Sequence, residues 1–302
     1  MECVFPYDVN LYGSIQLITL PKPYPSADAI WGGIPTVIPD VPSTSIFLAL
    51  FLASAVKNML TYRLNRRTKH NFSITLWLLT VFNIGIIIIC LVNILLAKRV
   101  LRGKRPRLGW NRILGLLLAV PYVLLLASAI LIVAGTLVSY ETRNERALRI
   151  ANNCIRAAVI LLLLQSLVPF ILLALAFLTP GSQETEVGFG QDTLARKACL
   201  LLVTSTLATT VAGFRCGTRW MPARPVDDSA WYHGRAAFYV FGFTLEALVL
   251  SIFLAERIDR MFWVPDGSGK KRTYAGEGEK GGRREGTSEE GYAMLGLHQV
   301  GV

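Results

Sequence analysis

The sequence predicts an all-α fold, a polytopic transmembrane helix bundle with six spans. Three observations carry this expectation. The chain of 302 residues is 53% hydrophobic and only 17% charged, against about 25% charged in soluble proteins. Its apolar residues gather in six runs, 45–62, 73–97, 113–138, 157–178, 198–214 and 236–255, each near the roughly 20 residues that a bilayer core needs in helix. The middle four runs hold no Asp, Glu, Lys or Arg, whereas a soluble helix keeps a polar face.

The elements follow in order. Residues 1–44 are rich in proline (Pro6, Pro21, Pro23, Pro25, Pro35, Pro39, Pro42) and are expected to be extended or turned. The first span is expected to start after Pro42, with Ser43 or Thr44 as its cap. Residues 1–20 lack a basic start, a continuous apolar stretch and a small-residue cleavage site, so the first span is expected to act as the signal anchor. Lys57 near its inner end is expected to snorkel. Pro121 in the third span and Pro169 in the fourth each remove a backbone bond and are expected to kink their helices. The bundle is expected over 45–262. Residues 263–302, rich in Gly, Glu, Lys and Arg, cannot bury a core and read as a disordered cytoplasmic tail.

The net charge of +11 fits basic loops held against anionic lipid. No nucleic-acid module accompanies it, so nucleic acid is not an expected partner; membrane lipids are. The placement of the charge contains a contradiction. Arg63, Arg66, Arg67 and Lys69 lie before the run 73–97, and Lys98, Arg99, Arg102, Lys104, Arg105, Arg107 and Arg112 lie after it. Short loops rich in Lys and Arg stay on the cytoplasmic face, yet a single span places its two ends on opposite faces. If the stretch 71–97 crossed twice, Lys and Arg would divide 21 inside against 8 outside; with one crossing they divide 18 against 11. Twenty-seven residues cannot cross twice as helix. A missing span, by deletion or by a faulty gene model, reconciles the two, with the C-terminus cytoplasmic.

From Gly213 onward the chain reads Phe214-Arg215-Cys216-Gly217-Thr218-Arg219-Trp220, Pro222, Arg224-Pro225, Ala230-Trp231-Tyr232-His233 and Phe238-Tyr239-Val240-Phe241-Gly242-Phe243-Thr244-Leu245-Glu246, closing with Arg257-Ile258-Asp259-Arg260-Met261-Phe262-Trp263-Val264-Pro265-Asp266-Gly267-Ser268. This resembles a family of fungal multi-spanning membrane proteins known only as a domain of unknown function. Gly33-Ile34-Pro35-Thr36, Asp40-Val41-Pro42, Asn65-Arg66-Arg67 and Gly109-Trp110 fit it too, so the resemblance runs over about residues 30–270. It implies seven spans. The chain departs from the family between Phe72 and Val81, and 82–99 is similar to the family's third helix, which again implies a lost second span. The family implies no activity. A looser likeness, of architecture only, is to fungal lipid-translocating exporters with seven helices.

The chemistry-bearing residues are few. Glu246 stands about ten residues into the last run, roughly 15 Å deep. A carboxylate there costs roughly 2.5–3.5 kcal/mol on insertion scales, so it should face the bundle and have a partner. It reads either as a proton relay or ligand contact, or as a protonated Glu bonded to a neighbouring helix. Asn83, Asn93 and Gln165 read as interhelical glue. The segment 215–235 gathers Arg215, Arg219, Trp231 and His233; it reads as an outer rim for an anionic ligand or lipid head group, or as an interfacial aromatic belt with basic anchors. His233 and Glu246 are 13 apart, about 20 Å on a continuous helix, too far for an acid–base pair. No GxSxG, HExxH, P-loop or dinucleotide fingerprint occurs, so no enzyme and no cofactor is expected. Cys3, Cys90, Cys154, Cys199 and Cys216 form no CxxC pair and only three His exist, so no metal site is expected. A disulfide between Cys154 and Cys216 is one option if both span ends share a face. Three functional readings follow: a receptor- or sensor-like bundle, a transporter or lipid-translocating protein, and an inactive remnant or truncated gene model.

Overall fold

The computed structural model describes residues 29, 31–33, 37–67, 85–142, 144–179, 189–222 and 224–264. Every element of regular structure among them is a helix. Helix α1 (Val37–Arg67) is extended at Ile38, with φ −120° and ψ 123°, and helical beyond it. It therefore begins upstream of the expected start at residue 45. Pro42 is tolerated because it falls in the first turn, where backbone N–H groups have no helical acceptor.

Helix α2 (Ile86–Lys104) runs through much of the basic stretch expected to be a loop. Its last turn carries Arg102 and Lys104, cations placed where the helix dipole favours them. A single turn, Pro106–Gly109, follows. There the Arg102 guanidinium lies 4.0 Å from the Trp110 ring. Helices α3 (Arg112–Leu117) and α4 (Ala119–Glu141) make up the third predicted span. The span breaks at Leu118, and Pro121 sits in the first turn of α4 rather than at a kink in mid-helix. Asn144 caps α5 (Glu145–Phe177), which carries Pro169 inside it. The Thr209 hydroxyl of α6 donates to the Ser166 carbonyl at 3.2 Å, in the turn that the proline weakens. Thr193 caps α6 (Leu194–Trp220). The last span is built from α7 (Arg235–Tyr239), a π-helical turn (Val240–Thr244) and α8 (Leu245–Ala255).

Five of these helices are long and apolar enough to cross a membrane: Asp40–Thr61, Arg112–Glu141, Glu145–Phe177, Leu194–Trp220 and Arg235–Ala255. They are consistent with a multi-pass membrane protein. The second predicted span, 73–97, is described only from Gly85. The part of α2 before Lys98 is roughly 18 Å long, shorter than the hydrocarbon core of about 30 Å. The lost-span region and the tail from residue 265 lie outside the described residues.

α2 is nevertheless the centre of the bundle. Val92, Ile94, Leu96, Ala97, Val100 and Leu101 are wholly buried, and the helix packs chiefly against α5 and α6. Its other face, with Ile87, Ile88, Leu91 and Leu95, is partly buried. The outward faces of α1 and α4 expose Leu48, Leu52, Leu60, Val123, Leu126, Ile130 and Val133, a surface suited to lipid.

The contacts fix which ends share a face. Phe47 of α1 stacks on Tyr239 at 6.0 Å and on Phe243 at 5.4 Å, and Lys57 Nζ donates to the Leu254 carbonyl at 3.4 Å. α1 and the last span therefore run parallel. Arg99 of α2 donates to the Phe262 carbonyl at 2.8 Å, and Arg105 to that of Thr179 at 2.6 Å. The C-terminal ends of α1, α2 and α8 thus gather at one basic end. The other end, the cap end, holds Asp40, Thr142, Asn144 and 221–234. Arg63 near the end of α1 and the basic residues 98–107 therefore lie at the same end, because α2 starts inside the bundle rather than at the far face.

Candidate functional site

The point where α2 starts is the site. Glu246, one residue into α8, is 3% exposed. Its carboxylate accepts from Arg215 Nη2 of α6 at 2.7 Å, and the backbone N–H of Ile86, first residue of α2, also donates to it. The first N–H groups of a helix have no partner within the helix, and in a membrane each such group needs one. A carboxylate at that terminus also meets the favourable end of the helix dipole. Glu246 therefore closes α2 and neutralises Arg215 at once. This is the neighbouring-helix partner the sequence demanded, with an ionised partner added.

Above the pair sits a lid of aromatic rings from segments far apart in the chain. Trp31 lies over the Arg215 guanidinium at 5.5 Å and packs on Phe214 at 5.9 Å and Phe238 at 5.2 Å. Phe214 stacks on Phe241 at 4.0 Å. The strap carrying Trp31 is tied to the cap loop by two backbone bonds, Ala29 N–H to the Arg224 carbonyl at 2.8 Å and Gly32 N–H to the His233 carbonyl at 3.0 Å. Gly32 has φ +93°, and a Cβ there would stand 3.0 Å from the Phe238 ring. A Cβ on Gly242, in the π-helical turn, would stand 3.3 Å from Trp31. The π-helical turn inserts one residue into the last span just before Glu246; such turns recur at functional sites.

Among the described residues, two buried donors of this site find no acceptor: Arg215 Nε and Trp31 Nε1. Buried polar groups are nearly always hydrogen-bonded, so both donors could take an acceptor group.

The structure joins Arg215 and Glu246 and separates the other predicted residues from them. Trp231 is 74% exposed and reaches the site only through Phe214, at 6.1 Å. His233 turns its Nδ1 to the Ala230 N–H at 3.2 Å and holds the strap through its carbonyl. Arg219 is exposed on the last turn of α6. Of the other polar span residues, Asn93 accepts from Thr204 at 3.0 Å, Gln165 is buried with Oε1 unpartnered, and Asn83 lies outside the described residues. Cys154 and Cys216 are free thiols, so the disulfide option is set aside. Among the described residues no group of His, Cys, Asp and Glu is placed to hold a metal ion.

Residues 190–263 match a family model described as protein of unknown function (DUF3112). The match takes in α6, the cap loop and the whole last span, and so both Arg215 and Glu246. It also takes in a clamp at the basic end, all but Phe189. There Arg196 pairs with Asp192 at 2.9 Å and with Glu256 at 2.8 Å, while the fully buried Lys197 donates to the carbonyls of Phe189 and Asp192. The match excludes Trp31 and Ile86. No curated protein and no solved structure matches the chain.

Sequence reasoning missed Trp31, the π-helical turn and the Ile86 N–H. Trp31-Gly32-Gly33 was a legible signal, an aromatic beside two flexible residues in a proline-rich stretch. The other two leave no mark in the sequence.

Proposed function

We propose that the chain is a sensor-like membrane bundle that couples a ligand at the cap end to the basic end through α2. One observation carries this reading: Glu246 holds both Arg215, under the Trp31 lid, and the first N–H of the helix whose other end ties to Phe262. A ligand presenting a carboxylate, phosphate or carbonyl oxygen to Arg215 Nε and Trp31 Nε1 competes with Glu246 for the guanidinium. Loosening Glu246 removes the cap of α2. Because α2 is one continuous helix packed along its length against α5 and α6, a change at its start moves as a unit to Arg99, Arg102 and Lys104. The positive-inside rule places the basic end in the cytoplasm, the C-terminus with it and the cap end outside. On this reading the bundle crosses five times as full helices, and α2 is a partial span that starts at the pair; the seven-span ancestry implied by the resemblance accounts for the short α2.

The test places a reporter cysteine at Lys104 and follows its labelling rate in reconstituted vesicles. The Glu246→Gln and Arg215→Leu variants are expected to change that rate. An unchanged rate in both ends the coupling reading. The transporter and lipid-translocating reading is the alternative. Flux in vesicles that falls to the empty-vesicle level in Glu246→Gln would favour it. Sequencing the transcript across codons 72–81 addresses the remnant reading, since about thirty extra codons there would restore a full span.

A further inference from the structure

The outer surface of the bundle carries a second feature, independent of the Glu246 site. α1 and the last span are zipped together at the cap end. Tyr239 donates to Asp40 Oδ1 at 3.0 Å, Arg235 pairs with Asp40 at 3.7 Å, and Phe47 stacks between Tyr239 and Phe243. Below Phe51 the two helices face each other through small residues: Ala53 and Ser54 on one side, Ala247 and Ser251 on the other. They leave a groove of about 180 Å³ between them, walled by Leu50, Leu250 and Leu254, with Lys57 at its lower end. From Leu50 to Lys57 it runs roughly 10 Å along the helix axis. Lys57 lies level with Leu254, one residue from the end of α8 at Ala255. On the proposed topology its ammonium therefore stands near the boundary of hydrocarbon and head groups on the basic face.

We propose that this groove binds one acyl chain of an anionic phospholipid whose phosphate rests on Lys57. The shape and the charge agree. An apolar slot running inward from the boundary suits a hydrocarbon tail, and a cation at the mouth suits the phosphate at the head of that tail. The Leu254 carbonyl holds the ammonium in position without neutralising it, since a carbonyl carries no net charge.

The experiment uses the full chain in mixed micelles holding equal amounts of phosphatidylglycerol and phosphatidylcholine, read by native mass spectrometry. Retention of a phosphatidylglycerol molecule in preference to phosphatidylcholine is expected. Lys57→Gln is expected to lower that preference about fivefold, the factor that one near-surface Lys contributes with anionic lipid. Ala53→Trp, which fills the slot, is expected to abolish retention of both lipids. Arg112→Gln, a basic-end change away from the groove, is expected to leave retention unchanged. Inorganic phosphate is expected not to displace the lipid, because it has no tail to fill the slot; displacement would show that the site recognises the anion alone. Equal retention of the two lipids, a preference that survives both groove variants, or a mass of two chains in place of a lipid adduct overturns the proposal. Reconstituted native protein with spin-labelled lipids gives a reading without variants. There, a motionally restricted fraction no larger for phosphatidylglycerol than for phosphatidylcholine overturns it as well.

Discussion

Breaking the Arg215–Glu246 pair from one side and then the other should give unequal losses. At 2.7 Å and an effective dielectric of about 20, the attraction is about 6 kcal/mol. Desolvation offsets much of it, and mostly on one side, since Glu246 is 3% exposed and the Arg215 side chain 27%. Arg215→Leu strands a buried carboxylate at the start of α2, a loss of about 3–5 kcal/mol by analogy with other broken buried pairs. Glu246→Gln is milder, about 1–2 kcal/mol. The amide oxygen still accepts from the Ile86 N–H, and Arg215 keeps the Trp31 face and partial access to solvent. The double variant Arg215→Leu/Glu246→Gln should cost less than the sum of its parts by about 2 kcal/mol. Reversible unfolding in mixed micelles with increasing dodecyl sulfate measures all three. Polar contacts between membrane helices average only about 0.6 kcal/mol. If both single variants fall at that level and add without coupling, the pair is not the cap of α2 and the mechanism built on it fails.

Other positions can be checked with simpler measurements. Gly190 has φ +59°, and a Cβ there would collide with the Met261 carbonyl oxygen; Gly190→Ala should destabilise by at least about 2 kcal/mol. Gly217→Ala in the open interior of α6 meets nothing within 4 Å and should be neutral or slightly stabilising, so thermal melts should separate the two. Trp31→Ala removes the ring from Arg215, Phe214 and Phe238 and should speed amide exchange at Ala29 and Gly32, the two strap bonds, while the amides of α5 stay protected. In a cysteine-free background, Ser229→Cys should react with an impermeant maleimide on intact cells, and Arg107→Cys only after permeabilisation. The reverse pattern would invert the proposed orientation.

Much of this arrangement was legible in the sequence, and the residues show why. Apolar length is a composition signal, so the helices around 45–62, 113–138, 157–178, 198–214 and 236–255 could be placed, with boundaries extended by caps such as Asn144 and Thr193. Glu246 stood out because an ionised group is rare in such a run. Its partner did not. Arg215 is 31 residues away, at the margin of another run, where a basic residue has the ordinary reading of an interfacial anchor. Trp31 was hidden for a different reason: a ring on a strap acquires meaning only from the surface it lands on.

The run 73–97 was read as one span because nothing in its composition interrupts it. The structure interrupts it at Gly85, whose φ of +122° is open to glycine and strained for other residues. α2 begins there, inside the bundle. A helix can start at that depth only if its leading N–H groups find acceptors, and Glu246 supplies one. The charge conflict and the buried carboxylate are therefore one feature. On the proposed topology Arg63 and the basic residues 98–107 share an end because α2 is a partial span, and a partial span requires an acceptor in the membrane interior.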